Sequence, residues 1–187
     1  MSRVRGSDQT EVVDAARRGD DAAWEALYRD LYPKLRAFLV RRVGPDEAED
    51  AVAETMSRAV AGLNRFTLGP AGFDGWVFGI ARHVAADHHR RRARRKREVL
   101  VGQRYAAEQR RDDAAADGLV LDDDHAAVRA VFARLDESDR ELLELRVVAG
   151  LSAEQVAAVL NKRPGAIRTA QSRALGRMRQ LMEAHDA

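Results

Sequence analysis

Apolar residues recur at three- and four-residue steps along most of this chain, the spacing of one face of an α-helix. Asp8 with Glu11 opens a short helix carrying Val12, Val13 and Ala16, and Gly19 stops it. Asp20 and Asp21 start a second, with Trp24, Leu27, Tyr28, Leu31, Leu35, Phe38 and Leu39 in phase. Pro33 is expected to kink this helix without ending it, because the stripe resumes beyond it. Gly44–Pro45 breaks the chain, and a third helix carries Ala48, Val52, Met56, Ala59, Val60 and Leu63. Residues 64–75, NRFTLGPAGFDG, form a loop. A long helix then starts near Asp74 with Trp76, Ile80, Ala81, Val84 and Ala85. Residues 96–124 show no sustained stripe and are predicted to be a linker. Beyond His125 come Val128, Val131, Phe132 and Leu135, then a helix with Leu142, Leu143, Leu145 and Val148 behind a Ser138–Glu141 capping box. The expected fold is all-α: two small helical domains, 8–95 and 125–183, joined by a flexible linker at 96–124.

The segment Leu151–Arg179 has its own pattern. Ser152 and Gln155 are spaced as a capping box, and Val156, Ala157, Val159 and Leu160 give a short helix an apolar face. Asn161–Lys162–Arg163–Pro164 breaks it, since proline lacks an N–H but suits the first turn of a new helix. The next helix turns Ile167, Ala170, Ala174, Met178 and Leu181 to one side, and from Lys162 to Arg179 the chain has six basic residues and no acid. A short helix, a tight break and a basic second helix is the pattern of a helix-turn-helix, whose second helix enters the DNA major groove. The same pattern also describes a helical hairpin with a solvated basic face.

Charge distribution sharpens the choice. The net charge of the 187 residues is only +2, but residues 44–54 carry five acids and no base. Residues 82–111 carry eleven bases against three acids, and 112–124 carry six aspartates. Seven of the eight residues from Arg90 to Arg97 are basic, on a helix that also presents aromatics. That mixture suits unpaired bases, which stack on rings while arginines follow the phosphates. Two basic surfaces imply a polyanion contacted twice. There are no cysteines, which excludes disulfides and thiolate metal sites and fits a reducing, cytoplasmic setting. No apolar run is long enough for a membrane span, and neither a signal peptide before the first helix nor an appended sensor domain after the last is expected.

Four segments together resemble a bacterial RNA polymerase sigma factor of the extracytoplasmic-function type: WEALYRDLYPKLRAFL at 24–39, AEDAVAETMSRAV at 48–60, FDGWVFGIARHVAADHHRRRARR at 73–95 and GLSAEQVAAVLNKRPGAIRTAQSRALGRMR at 150–179. The resemblance implies a factor that binds core polymerase, directs it to promoters and assists melting, with no catalytic residue, cofactor or metal of its own. Glu49, Asp50, Glu54 and Arg58 would meet the clamp helices of the beta-prime subunit, and the second domain the beta flap. Asn64, Arg65, Phe66, Trp76, His83, Asp87, Arg90 and Arg91 would serve the −10 element, the loop at 64–75 trapping a flipped base. Arg163, Arg168, Thr169 and Arg173 would serve the −35 element, arginine being the usual bidentate reader of guanine. His83 stands where the family commonly has Asn, and Ala170 where it often has Arg. The acidic linker would thread toward the polymerase active centre, and an anti-sigma protein is an expected partner.

Two other readings compete. A helix-turn-helix regulator acting without polymerase accounts for the second domain but not for an acidic helix followed by an aromatic and basic one. A metal-dependent nuclease would use His83, Asp87, His88 and His89, but no further ligand set clusters with them and the surrounding arginines repel a cation.

Overall fold

The structure, a computed structural model, describes residues 6–103 and 123–184. Among these the chain forms eight α-helices and no strand. They are α1 (Gly6–Arg17), α2 (Asp21–Val43), α3 (Pro45–Gly62), α4 (Gly72–Gln103), α5 (Asp123–Ala133), α6 (Glu137–Leu143), α7 (Ala153–Leu160) and α8 (Pro164–Glu183). A 3-10 turn, Leu63–Arg65, follows α3, and a π turn, Glu144–Val148, extends α6.

The helix ends follow from local chemistry. The Asp20 carboxylate accepts from the N–H groups of Ala22 and Ala23 at 2.9 and 3.1 Å and so caps α2. The expected capping box at α7 is complete: Ser152 Oγ accepts from the Gln155 N–H at 3.1 Å, and Gln155 Oε1 from the Ser152 N–H at 2.8 Å. Asn161 then takes the left-handed conformation, φ 52, and Pro164 opens α8. At α6 the cap differs from the expectation. Asp136 accepts from the Asp139 N–H at 2.8 Å, and Ser138 donates to the same carboxylate at 2.9 Å. A charged acceptor at the start of the helix displaces the hydroxyl from the capping role.

Helix α2 runs on through Pro33, as its resumed stripe predicts. One boundary differs. Helix α4 continues to Gln103, past the point where its apolar stripe fades. Arginine, lysine and glutamate favour helix without an apolar face, so a linker predicted from missing periodicity began too early. Most of the aspartate-rich block lies at 104–122, outside the described residues.

The core forms where α2, α3 and α4 meet. Leu31, Leu35, Phe38 and Leu39 of α2 pack against Ala48, Ala51 and Val52 of α3 and Phe73, Val77, Phe78 and Val84 of α4. Phe38 and Phe78 meet edge-to-face, centroids 5.5 Å apart. Three stripe residues are exposed: Tyr28, which stacks on Tyr32, Val60 and Val128. The second domain keeps a small core of its own, Leu135, Leu143 and Ala174. Its larger apolar face, including Leu142, Leu145, Leu151, Val156 and Ile167, joins the main cluster. The two predicted domains therefore share one core.

Phe78→Ala should cost about 3–5 kcal/mol, read by urea unfolding, because the site is fully enclosed. Asp136 tests the cap through pH. The Asp139 N–H first, and then the Ser138 hydroxyl, hold its carboxyl below the ordinary 3.8. The stability it contributes is complete above that value and lost as pH falls through the lower folded-state value. Asp136→Asn keeps a capping oxygen, so stability at pH 7 should hold while the loss on acidification becomes shallower.

Candidate nucleic-acid interface

Helix α3 presents its acids on the side away from the core, but they are not equivalent. Glu49 accepts from Arg36 Nε at 2.6 Å and from the Tyr32 hydroxyl at 3.0 Å, which hold its carboxyl below the usual range, Arg36 most strongly. Asp50 is exposed and has no ion pair among the described residues. Glu54 is tied to Arg58 and lies 3.5 Å from Arg91 and 3.4 Å from His88 Nε2. His88 Nδ1 is 2.9 Å from Glu47.

This network links residues that the sequence placed at two separate sites. Arg58 donates to Asp87 at 3.3 and 3.4 Å, and Arg90 reaches the other Asp87 oxygen. Burial, the largest single influence on Asp87, would raise its carboxyl, but the hydrogen bonds and charges of Arg90 and Arg58 together hold it low. Asp87 thus fixes α4 to α3 and orients Arg90. The exposed guanidiniums of Arg90 and Arg91 begin the basic run on α4.

Around the 3-10 turn the sequence-predicted loop residues separate. Asn64 and Arg65 are exposed, whereas Phe66 is buried, its ring 5.6 Å from Phe73 and 4.8 Å from Trp76. Arg17 donates to the carbonyls of Leu63 and Phe66, at 3.3 and 2.6 Å, and so pins the turn. Phe66, Pro70, Trp76, Ile80 and His83 line a cavity of about 400 Å³, room enough for a planar ring. His83 Nδ1 donates to the Gly79 carbonyl at 2.7 Å, so in the neutral ring Nε2 is an acceptor. The far wall is Ala158 and Val159 of α7, which belongs to the other domain.

On α8, Ile167 and Ala174 are buried, and Arg163, Arg168, Thr169 and Arg173 are all exposed. Arg168, Thr169 and Arg173 lie on the exposed side of the helix, and Arg163 stands at its N-cap. Thr169 Oγ1 donates to the Gly165 carbonyl at 3.1 Å, and Arg168 pairs with Glu154 of α7. Ala170 is half-buried against the main core, so this departure from the family pattern adds to packing. Arg177 bonds the buried Asp139 and locks α8 to α6.

Sequence reasoning missed the joint between the domains. Arg42 donates to Glu144 at 2.8 Å and lies 3.5 Å from Glu141. Arg82 donates to the same Glu141 at 2.8 Å and to the Val159 carbonyl at 3.2 Å. Burial pushes the Glu144 carboxyl above its ordinary value, against the pull of Arg42. The available signal was Arg82 itself, a cation in an otherwise apolar helical stretch that needs a partner. Among the described residues no group of three or more His, Asp or Glu is arranged to hold a metal ion.

Comparison with known proteins adds to this geometry. The family description Sigma-70 region 2 matches residues 27–95, and Sigma-70, region 4 matches 125–178. The chain is 34% identical over 187 residues to the ECF RNA polymerase sigma factor ShbA of Streptomyces griseus, covering 94% of this chain and 98% of that protein. It is 30% identical over 182 residues to SigD of Mycobacterium tuberculosis, covering 94% and 84%. Among solved structures, the sigma factor RpoE in complex with the anti-sigma factor NepR from Bartonella quintana superposes with a TM-score of 0.60 at 28% identity, covering 86% of this chain and 96% of that one. CnrH in complex with the cytosolic domain of CnrY superposes with a TM-score of 0.62 at 23% identity, covering 92% and 96%, a likeness of fold.

The cavity wall gives a direct check. A Cβ at Gly62 would lie 3.0 Å from Trp76 Cζ2. In a Trp24→Phe background, which leaves Trp76 as the only indole, Gly62→Val should displace the ring and shift its fluorescence to the red. An unchanged spectrum would contradict the close packing of Trp76 on the end of α3.

Proposed function

The chain belongs to the extracytoplasmic-function sigma factors of bacterial RNA polymerase, and on that footing we propose how its surfaces divide the work. It is a promoter-specific initiation factor that acts by binding the polymerase. Sigma factors are not enzymes, so bond formation falls to the polymerase. No described helix is long and apolar enough to cross a membrane.

In this proposal the acid face of α3 docks on the clamp helices of the beta-prime subunit. Asp50 leads, because no internal cation competes for it, whereas Glu49 and Glu54 must share their charge with Arg36 and Arg58. The aromatic cavity beside α4 receives a base flipped from the melted strand, with Asn64 and Arg65 at its approach and Arg90 and Arg91 on the phosphates. Arg168, Thr169 and Arg173 read duplex DNA in the major groove, with Arg163 on the backbone. The second domain also rests on the beta flap. Two weak readers become effective once both are held on one enzyme. An anti-sigma protein is the third partner; the Bartonella sigma factor was captured with one.

The observation that carries the reading is the division of surfaces: an acidic helix, an aromatic cavity on a basic helix, and a separate basic recognition helix, in one chain. A free-standing regulator requires only the last of these.

The purified chain should comigrate with core polymerase on gel filtration, and Asp50→Arg should weaken that association at least tenfold; an unchanged elution profile for both would contradict the docking assignment. Arg168→Ala should lower transcription roughly 5- to 100-fold on promoters that carry the −35 element, the equivalent of one bidentate base contact. Equal losses on promoters with and without that element would remove Arg168 from base reading.

A further inference from the structure

Helix α1 lies before residues 27–95, the stretch that matches Sigma-70 region 2, yet it holds the loop assigned above to the −10 element at both ends. Gln9, Val13 and Arg17 are spaced four apart and so share one face of α1. Val13 is buried in the core and seats that face. At one end of the loop Arg17 Nη2 donates to the Phe66 carbonyl at 2.6 Å and Nε to the Leu63 carbonyl at 3.3 Å. Asp14, one turn back on α1, accepts from Arg17 Nη1 at 2.9 Å and fixes the plane of the guanidinium. At the other end Gln9 Nε2 donates to Asp74 Oδ1 at 2.6 Å, in the first turn of α4.

The loop has little else to set its position. Residues 66–69 belong to no helix, and Gly72 takes φ 64. The Phe66 N–H bonds the Leu63 carbonyl at 3.1 Å and the Gly72 N–H the Gly69 carbonyl at 2.9 Å, but these close turns within the loop and do not fix where it stands against α4. Phe66, Thr67, Gly69 and Pro70 of this segment form one wall of the aromatic cavity. A wall that discriminates between bases must be held to within about 0.5 Å, and groups behind it supply that constraint. Arg17 stands behind the wall. It does not line the cavity, and its planar fork bonds two loop carbonyls at once, which a single ammonium group does less well.

We propose that Arg17 is a positioning residue for capture of the flipped −10 base: α1 braces the loop from behind, with Gln9 holding its far end, and so sets base selectivity without touching DNA. The proposal rests on the −10 role assigned to the cavity. Without the brace the Phe66 backbone is free to shift, and the cavity accepts different bases with similar affinity.

The test uses holoenzyme assembled from core polymerase and the chain. It is titrated with fluorescein-labelled single strands that carry the −10 element mapped from transcript starts, in native form and with each base replaced in turn. Wild type should prefer the native base at the captured position by roughly 5- to 100-fold, the worth of one bidentate base contact. Arg17→Met keeps the aliphatic stem and removes the donors, and should lower that ratio by about threefold or more; Arg17→Lys should recover part of it. The ratio is decisive, because destabilisation weakens every strand equally whereas a misplaced wall changes the native base relative to the others. Discrimination at the −35 element should not move. An unchanged ratio in Arg17→Met, or equal weakening on every strand, overturns the proposal. Gln9→Leu should lower the same ratio from the other end, and if Arg17→Met does not fold, an unchanged ratio in Gln9→Leu overturns it. Phe66→Ala removes the wall itself. A ratio that survives Phe66→Ala strikes the base-capturing role of the cavity and the proposal with it, whereas a ratio that falls with Phe66→Ala but not with Arg17→Met strikes the brace alone.

Discussion

The Glu141 carboxylate is held between guanidiniums from two other helices, Arg82 at 2.8 Å and Arg42 at 3.5 Å, and the placement of the second domain depends on it. Such a half-buried cluster is worth keeping only if each charge is well bonded, because desolvation offsets much of the Coulomb attraction. Glu144 illustrates the balance: its carboxyl is bonded to Arg42, yet burial still pushes its proton affinity up. The apolar contacts of Leu142, Leu145 and Val156 hold the arrangement closed, and the charges fix its register.

Charge economy recurs across the candidate site. Many of the charged residues assigned to a partner are already engaged inside the chain: Glu49 by Arg36, Glu54 by Arg58, Arg90 by Asp87, Arg168 by Glu154. These internal pairs order long side chains before binding and neutralise them while free. Exposed pairs are worth little to stability, so exchanging them for a partner's charge costs little. Asp50, Arg65, Arg163 and Arg173 have no such pair among the described residues and are the sites where a partner meets the least competition.

The helices and their stops were largely legible in the sequence because the forces that set them are local. The capping box at Ser152, the break before Pro164 and the stripe of α2 needed only neighbours within a few residues. Where a nearby alternative existed, local reading chose wrongly, as with Asp136 over Ser138. The buried and exposed faces of α8 were readable from helical phase alone, with Ile167 and Ala174 buried and Arg168 and Arg173 exposed. The joint between domains was not, since Arg42 and Glu144 stand 102 positions apart and no periodicity reports a pair at that separation. The burial of Phe66 escaped for the same reason: its partners Phe73 and Trp76 lie across a glycine-rich turn whose path the sequence does not specify.

The most direct measurement is run-off transcription on a genomic template by core polymerase with and without the chain, with the 5′ ends of the transcripts mapped. The account predicts new starts that appear only with the chain and share two upstream elements, centred near −10 and −35. Starts that are unchanged by the chain, or that share only one element, would contradict a two-part promoter reader.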